Sequence, residues 1–91
     1  RHNKRPPVAV MELLRVLLKH LTDKHNIAPR LIASADELER LASDDQAPIR
    51  ALTGWRREIF GELAISLKNG EIALAVRNGN ILIIECNEKA D

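Results

Sequence analysis

The sequence predicts a small, mainly α-helical domain: a bundle of two long and two or three short helices, closed by a C-terminal β-hairpin. Three observations carry that reading. Apolar residues recur with a helical period over Val8–His25, and they do so again between Gly54 and Gly70. Beyond Gly70 the period becomes that of a strand, on either side of an Asn78-Gly79 pair.

The first seven residues are basic and polar and end in Pro6-Pro7, as a linker does before a helix. In the first helix Val10, Met11, Leu13, Leu14, Leu17, Leu18 and Leu21 fill an arc of roughly 160° at 100° per residue. Glu12, Arg15, Lys19, Thr22 and Asp23 lie opposite. So wide an apolar arc touches more than one neighbour, which makes this helix the spine of the core. Pro29 suits the first position of a brief turn through Leu31 and Ile32. Ser34 and Glu37 have the S-x-x-E spacing of a capping box, opening a short helix to about Ala42 that buries Leu38 and Leu41. Ser43, Asp44 and Asp45 read as a solvated loop, and Pro48 as the start of another turn that carries Ile49 and Leu52 inward. The last long helix is expected to place Trp55, Ile59, Leu63 and Leu67 on one side, with Phe60 at the margin. Gly61 inside it costs about 1 kcal/mol relative to Ala, which points to close packing.

In the hairpin, Asn-Gly is the strongest short turn signal. A two-residue turn pairs Val76 with Ile81 and Leu74 with Ile83, and puts Ile72 on the same face. Ala73, Ala75, Leu82 and Ile84 form the reverse face, and an apolar reverse face needs cover. Leu82 and Ile84 are therefore candidates for an interaction surface. The predicted division is a tail at 1–7, one domain at 8–86 (helices to 70, hairpin at 71–86), and a tail at 87–91.

Ninety-one residues suffice for one modest core. Apolar residues make up 45% and charged residues 30%, a globular balance that excludes a disordered chain. No apolar run approaches a membrane span and no secretory signal is visible. Cys86 is alone, so no disulfide can form within the chain. It reads as a small buried hydrophobe in a cytoplasmic protein. A start at Arg1 rather than Met suggests a piece of a longer protein. Fourteen Lys and Arg against thirteen Asp and Glu leave a formal charge of +1. A basic field over the whole molecule is excluded, and only a local patch is left to attract nucleic acid.

Catalysis fails feature by feature. His2, His20, His25 and Cys86 match no zinc spacing, and Asp44-Asp45 lacks a third ligand. No phosphate-cradling glycine loop is present, nor a nucleophile with a placed base. No catalytic residue, metal or cofactor is therefore assigned to this segment. Trp55 and Phe60 both read as core, leaving no aromatic platform for bases. The nucleic-acid-binding candidates are Arg15, Lys19, Arg30, Arg50 and Arg57. For each the ordinary alternative is a solvated surface charge, and Asp23 is spaced to pair with Lys19. Arg56 falls within the apolar arc, so it is read as structural, together with Trp55. Such an inward Arg needs a carboxylate or a free carbonyl. Two or three phosphate contacts give a single-strand salt slope of only about −1.4 to −2. Binding that weak and sequence-blind matters when the domain is tethered.

The segment from His25 through Asn26, Ile27, Ala28, Pro29, Arg30, Leu31, Ile32 and Ala33 to Ser34, then Asp36 to Leu41, then Leu52-Thr53-Gly54-Trp55-Arg56 resembles the C-terminal HRDC-type domain of bacterial ribonuclease D. HRDC domains are helical bundles shared with helicases of the RecQ class, and the likeness covers residues 8–70. It implies a parent 3′-to-5′ exoribonuclease acting on tRNA and other structured RNA ends. The parent's catalytic domain would lie upstream, with four acidic ligands for divalent metal, none of which falls on this chain. It also implies that the helical domain helps grip RNA and shape the entry to the active site, while the hairpin is left to dock on the parent's own catalytic domain or on a second copy. The hairpin departs from a plain helical bundle. Two other readings stand beside this one: a protein-interaction module that docks or self-associates through the hairpin, and an accessory domain of a RecQ-class helicase.

Overall fold

The computed structural model describes residues 7–86. The predicted tails lie outside that range, Pro7 excepted. Helix α1 spans Val8–His25 and α2 spans Ala35–Ser43. Single 3₁₀ turns at Pro29–Leu31 and Arg50–Leu52 flank α2. A second long helical rod, α3, follows in three continuous parts: α-helical Gly54–Arg56, π-helical Arg57–Gly61 and α-helical Glu62–Lys68. Strands β1 (Ile72–Arg77) and β2 (Asn80–Glu85) close the chain as one antiparallel pair. The architecture is mainly α with a C-terminal hairpin, as the periodicity predicts.

Local chemistry explains the element ends. Asn26 takes the left-handed conformation after α1 (φ 60°), donating to the Asp23 carbonyl while Ile27 donates to that of Thr22. This is the Schellman arrangement, with Asn in the place usually held by Gly. The capping box forms at α2: Glu37 N–H donates to Ser34 Oγ (3.1 Å) and Ser34 N–H to Glu37 Oε1 (2.8 Å). In the hairpin Asn78 and Gly79 both have positive φ, the type I′ turn that matches strand twist. Val76 lies opposite Ile81 and Leu74 opposite Ile83, in the predicted register.

Leu14, Leu17, Leu18 and Leu21 of α1 meet Ile32, Leu38, Leu41, Ala51, Phe60 and Ala64 in a single core. Ile72 is buried, and Leu74 and Ile83 pack against the core from the hairpin's inner face. On the outer face Ile84 is 45% exposed and Leu82 is partly covered. Thr22 departs from the wheel. It is fully buried on the nominally polar side, where its hydroxyl donates to the Leu18 carbonyl (2.8 Å) and so removes the cost of burial. Leu13, at the edge of the apolar arc, is exposed.

Three further expectations are corrected. Cys86 is exposed, because it lies just past the end of β2 and beyond the packed part of the hairpin. Asp45 lies in the loop after α2, as expected, but is not merely solvated, since it pairs with Lys68. In α3 the buried residues are Phe60, Gly61 and Ala64, while Trp55 stands 46% exposed. Hydrophobicity weighting hides the reason. A Cβ on Gly61 would run into the Ala51 carbonyl, so the closest approach falls on small residues rather than on the largest ones. Trp55 and Ala64 are nine residues apart, on opposite sides of an uninterrupted α-helix. The extra residue of the π turn reduces that separation to about 80°, which leaves Trp55 on the flank of the core.

Candidate nucleic-acid interface

Three of the five predicted cations converge. Arg15 and Lys19, one turn apart on α1, face Arg30 across a groove of about 320 Å³ floored by Leu18, Ala33 and Leu38. Arg15 and Lys19 also form the wall of a second groove, about 460 Å³, whose far side is the hairpin at Gly79, Asn80 and Ile81. Their carboxylate partners hold them loosely: Arg15–Glu12 at 3.8 Å and Lys19–Asp23 at 3.7 Å, all four side chains well exposed. Pairs of that kind contribute about 0–1 kcal/mol, so both cations are available to a phosphate. Among the described residues Arg30 has no ion-pair partner.

The other two candidates are engaged. Arg50 makes a forked contact with Glu37, Nη2 to Oε1 at 2.9 Å and Nε to Oε2 at 3.2 Å, and also reaches the Arg30 carbonyl. This bidentate geometry is the strong form of an ion pair. Thirteen residues separate the partners, so no local pattern reveals it. Arg57, expected as an outward candidate, donates to Glu62 Oε2 at 2.6 Å and to the Leu52 carbonyl at 3.2 Å. The π turn accounts for this. Its wider winding brings residues five apart onto one side, where an α-helix would splay them. A cavity of about 850 Å³ between the 45–49 segment and α3 is lined by these two arginines and Asp45, whose charges are already matched within the protein.

Arg56 supplies the link to the basic groove. Its Nε donates to the Leu31 carbonyl at 2.7 Å, and its guanidinium lies 4.5 Å from the centre of the Trp55 ring. The turn Pro29–Leu31 is thus gripped by two arginines, Arg50 on one carbonyl and Arg56 on the next. Arg15, Lys19, Arg30, Arg50 and Arg56 therefore form one band along this side. Glu12, Asp23 and Glu37 are the carboxylates paired within it. Five cations less three carboxylates leave a local excess of +2. A net charge of +1 for the whole chain concealed this patch.

Glu37 has both capping and tertiary roles. The Arg50 guanidinium, helped by the Ser34 N–H and opposed by burial, holds its carboxyl at about 2, below the ordinary 4.5. A depressed folded-state value stabilises the fold fully above the unfolded value, and this contribution is lost as pH falls from about 4.5 towards 2. Glu37→Gln should lower the melting temperature at neutral pH and flatten its decline between pH 4.5 and 2.5. An acid limb identical to that of the unsubstituted chain would show that the pair contributes nothing.

No helix among the described residues is long and apolar enough to cross a membrane. No three His, Cys, Asp or Glu side chains among them gather to hold a metal ion. Comparison with known proteins gives the geometry its context. The chain is 50% identical to ribonuclease D of Granulibacter bethesdensis over 66 residues, 72% of this chain and 17% of that protein. It is 53% identical to ribonuclease D of Nitrobacter hamburgensis over 62 residues, 68% of this chain and 16% of that protein. The resemblance to a domain of ribonuclease D stands. Ribonuclease D of Jannaschia sp. matches over 85 residues at 42% identity, 93% of this chain and 21% of that protein. The chain thus spans about one sixth to one fifth of the length of these relatives. No family model matches it, and no solved structure does.

Proposed function

We propose that this chain is the RNA-gripping accessory domain of a ribonuclease D-like 3′-to-5′ exoribonuclease, retaining tRNA-like substrates while the chemistry proceeds elsewhere in the parent protein. The observation that carries the reading is the convergence of Arg15, Lys19 and Arg30 on one groove in a domain similar to part of ribonuclease D. A groove with two loosely paired cations on one side and Arg30 on the other suits a phosphate backbone. Its lack of base-reading geometry suits an enzyme that accepts many RNA ends. The divalent metal of such an enzyme belongs, on this reading, to the catalytic domain. The named relatives favour a ribonuclease parent over a RecQ-class helicase.

Three phosphate contacts predict a salt slope near −2 in a plot of log affinity against log salt. Replacing Arg15, Lys19 and Arg30 together by Glu should weaken binding of single-stranded RNA by at least about tenfold at low salt and flatten that slope towards zero. Filter binding across a salt series measures both. Unaltered affinity and slope in the triple variant would sink the reading.

A further inference from the structure

Trp55 is the only tryptophan, and it stands 46% exposed at the start of α3. The other aromatic, Phe60, is fully buried. The exposed indole is held from one side: the Arg56 guanidinium lies 4.5 Å from the ring centre and is itself pinned to the Leu31 carbonyl at 2.7 Å. A cation over the ring face adds attraction and fixes the orientation of the side chain. Nearly half of the residue is left open to solvent beside that contact. Arg30 and Arg50 adjoin through the same Pro29–Leu31 turn. A preset flat apolar surface beside a cluster of cations meets both halves of a nucleotide.

We propose that Trp55 is a stacking platform for an unpaired base of single-stranded RNA, whose neighbouring phosphates lie along Arg56, Arg30 and the Arg15–Lys19 groove. The inference rests on the RNA-binding reading above and adds a base-dependent contact to a backbone-dependent one. It also fixes the substrate class at this end of the groove. Paired bases are already stacked on both sides, so the platform selects unpaired ends over duplex.

The single tryptophan reports on its own contact. Titration of the 91-residue chain with a short oligoadenylate should quench its indole fluorescence. An abasic ribose-phosphate oligomer of equal length and a blunt duplex should leave it nearly unchanged. By anisotropy of labelled oligoadenylate, Trp55→Ala should bind about 5- to 100-fold more weakly, and Trp55→Phe should retain most of the affinity. Trp55→Ala should bind the abasic oligomer as the unsubstituted chain does. Circular dichroism checks that the variant folds, and quenching in the unsubstituted chain decides the matter independently of any variant. If oligoadenylate binds with no quenching and Trp55→Ala binds it equally well, the platform is refuted while the groove reading survives, and the indole is left as a contact for protein. If the chain binds no RNA at all, both readings fall.

Discussion

Gly61→Ala should destabilise the domain by about 2 kcal/mol, against the sign expected from helix propensity. In an unobstructed helix the same change stabilises by up to about 1 kcal/mol, because Ala restricts the unfolded chain and favours helical dihedrals. Here the added methyl meets the Ala51 carbonyl and crowds Leu52. The carbonyl is backbone, in the single turn Arg50–Leu52, and cannot swing aside as a flexible side chain would. Inserting a methyl into a packed core costs about 1–3 kcal/mol, and an immovable neighbour favours the upper part of that range. For a domain of this size, 2 kcal/mol lowers the melting temperature by roughly 8–16 °C. Thermal denaturation followed by circular dichroism reads it directly. A melting temperature equal to or above that of the unsubstituted chain would show that α3 does not sit against the Arg50–Leu52 turn as described. Displacing that turn also displaces Arg50 and its contact with Glu37, so the loss should be cooperative.

The same region separates what the sequence reveals from what it conceals. One helix start and the hairpin register were legible, because each is written in a few consecutive residues: Ser34 with Glu37, and Asn78-Gly79. Leu14, Leu17, Leu18 and Leu21 were legible as core because α1 is regular. The buried side of α3 was not. Its packing centre is Gly61 and Ala64, residues that apolar patterning scarcely counts, and a π turn interrupts its winding. Trp55, read as core, is half exposed because the packing centre lies on another side of α3, and Arg57, read as outward, is bound to Glu62 across the π turn. Among the cations the limit was sequence distance. Lys19 with Asp23 follows from spacing, whereas Arg50 with Glu37 and Arg56 with the Leu31 carbonyl bridge 13 and 25 residues. Arg56 did signal its need for a carbonyl by falling on the apolar arc. Lys68 gave a similar signal, unused, by following the buried Ala64 at i+4.

Removing the carboxylate that faces Lys68 should cost more than removing Lys68 itself. The Lys68 side chain is 12% exposed, and its ammonium donates to the Leu41 carbonyl and to Asp45 Oδ1, each at 2.5 Å. Leu41 is in the last turn of α2, where helix carbonyls lack intrahelical donors and the helix dipole favours a cation. Asp45→Ala leaves a nearly buried positive charge with a single neutral acceptor, at a cost of about 1.5–3 kcal/mol. Lys68→Met keeps most of the packing volume and removes the charge. It returns Asp45, 41% exposed, to water, and the Leu41 carbonyl still accepts from the Asp44 N–H. That variant should therefore lose only about 1 kcal/mol or less. The double variant should resemble Lys68→Met alone, since no charge is left unmatched. Urea denaturation of the three variants orders them. If Lys68→Met proves the more damaging single change, the ammonium contributes through attraction rather than through the avoidance of an unpaired buried charge. The Lys68–Asp45 contact fastens the segment leading to Arg50, and both single variants break it, so each should loosen the arginine band at its root.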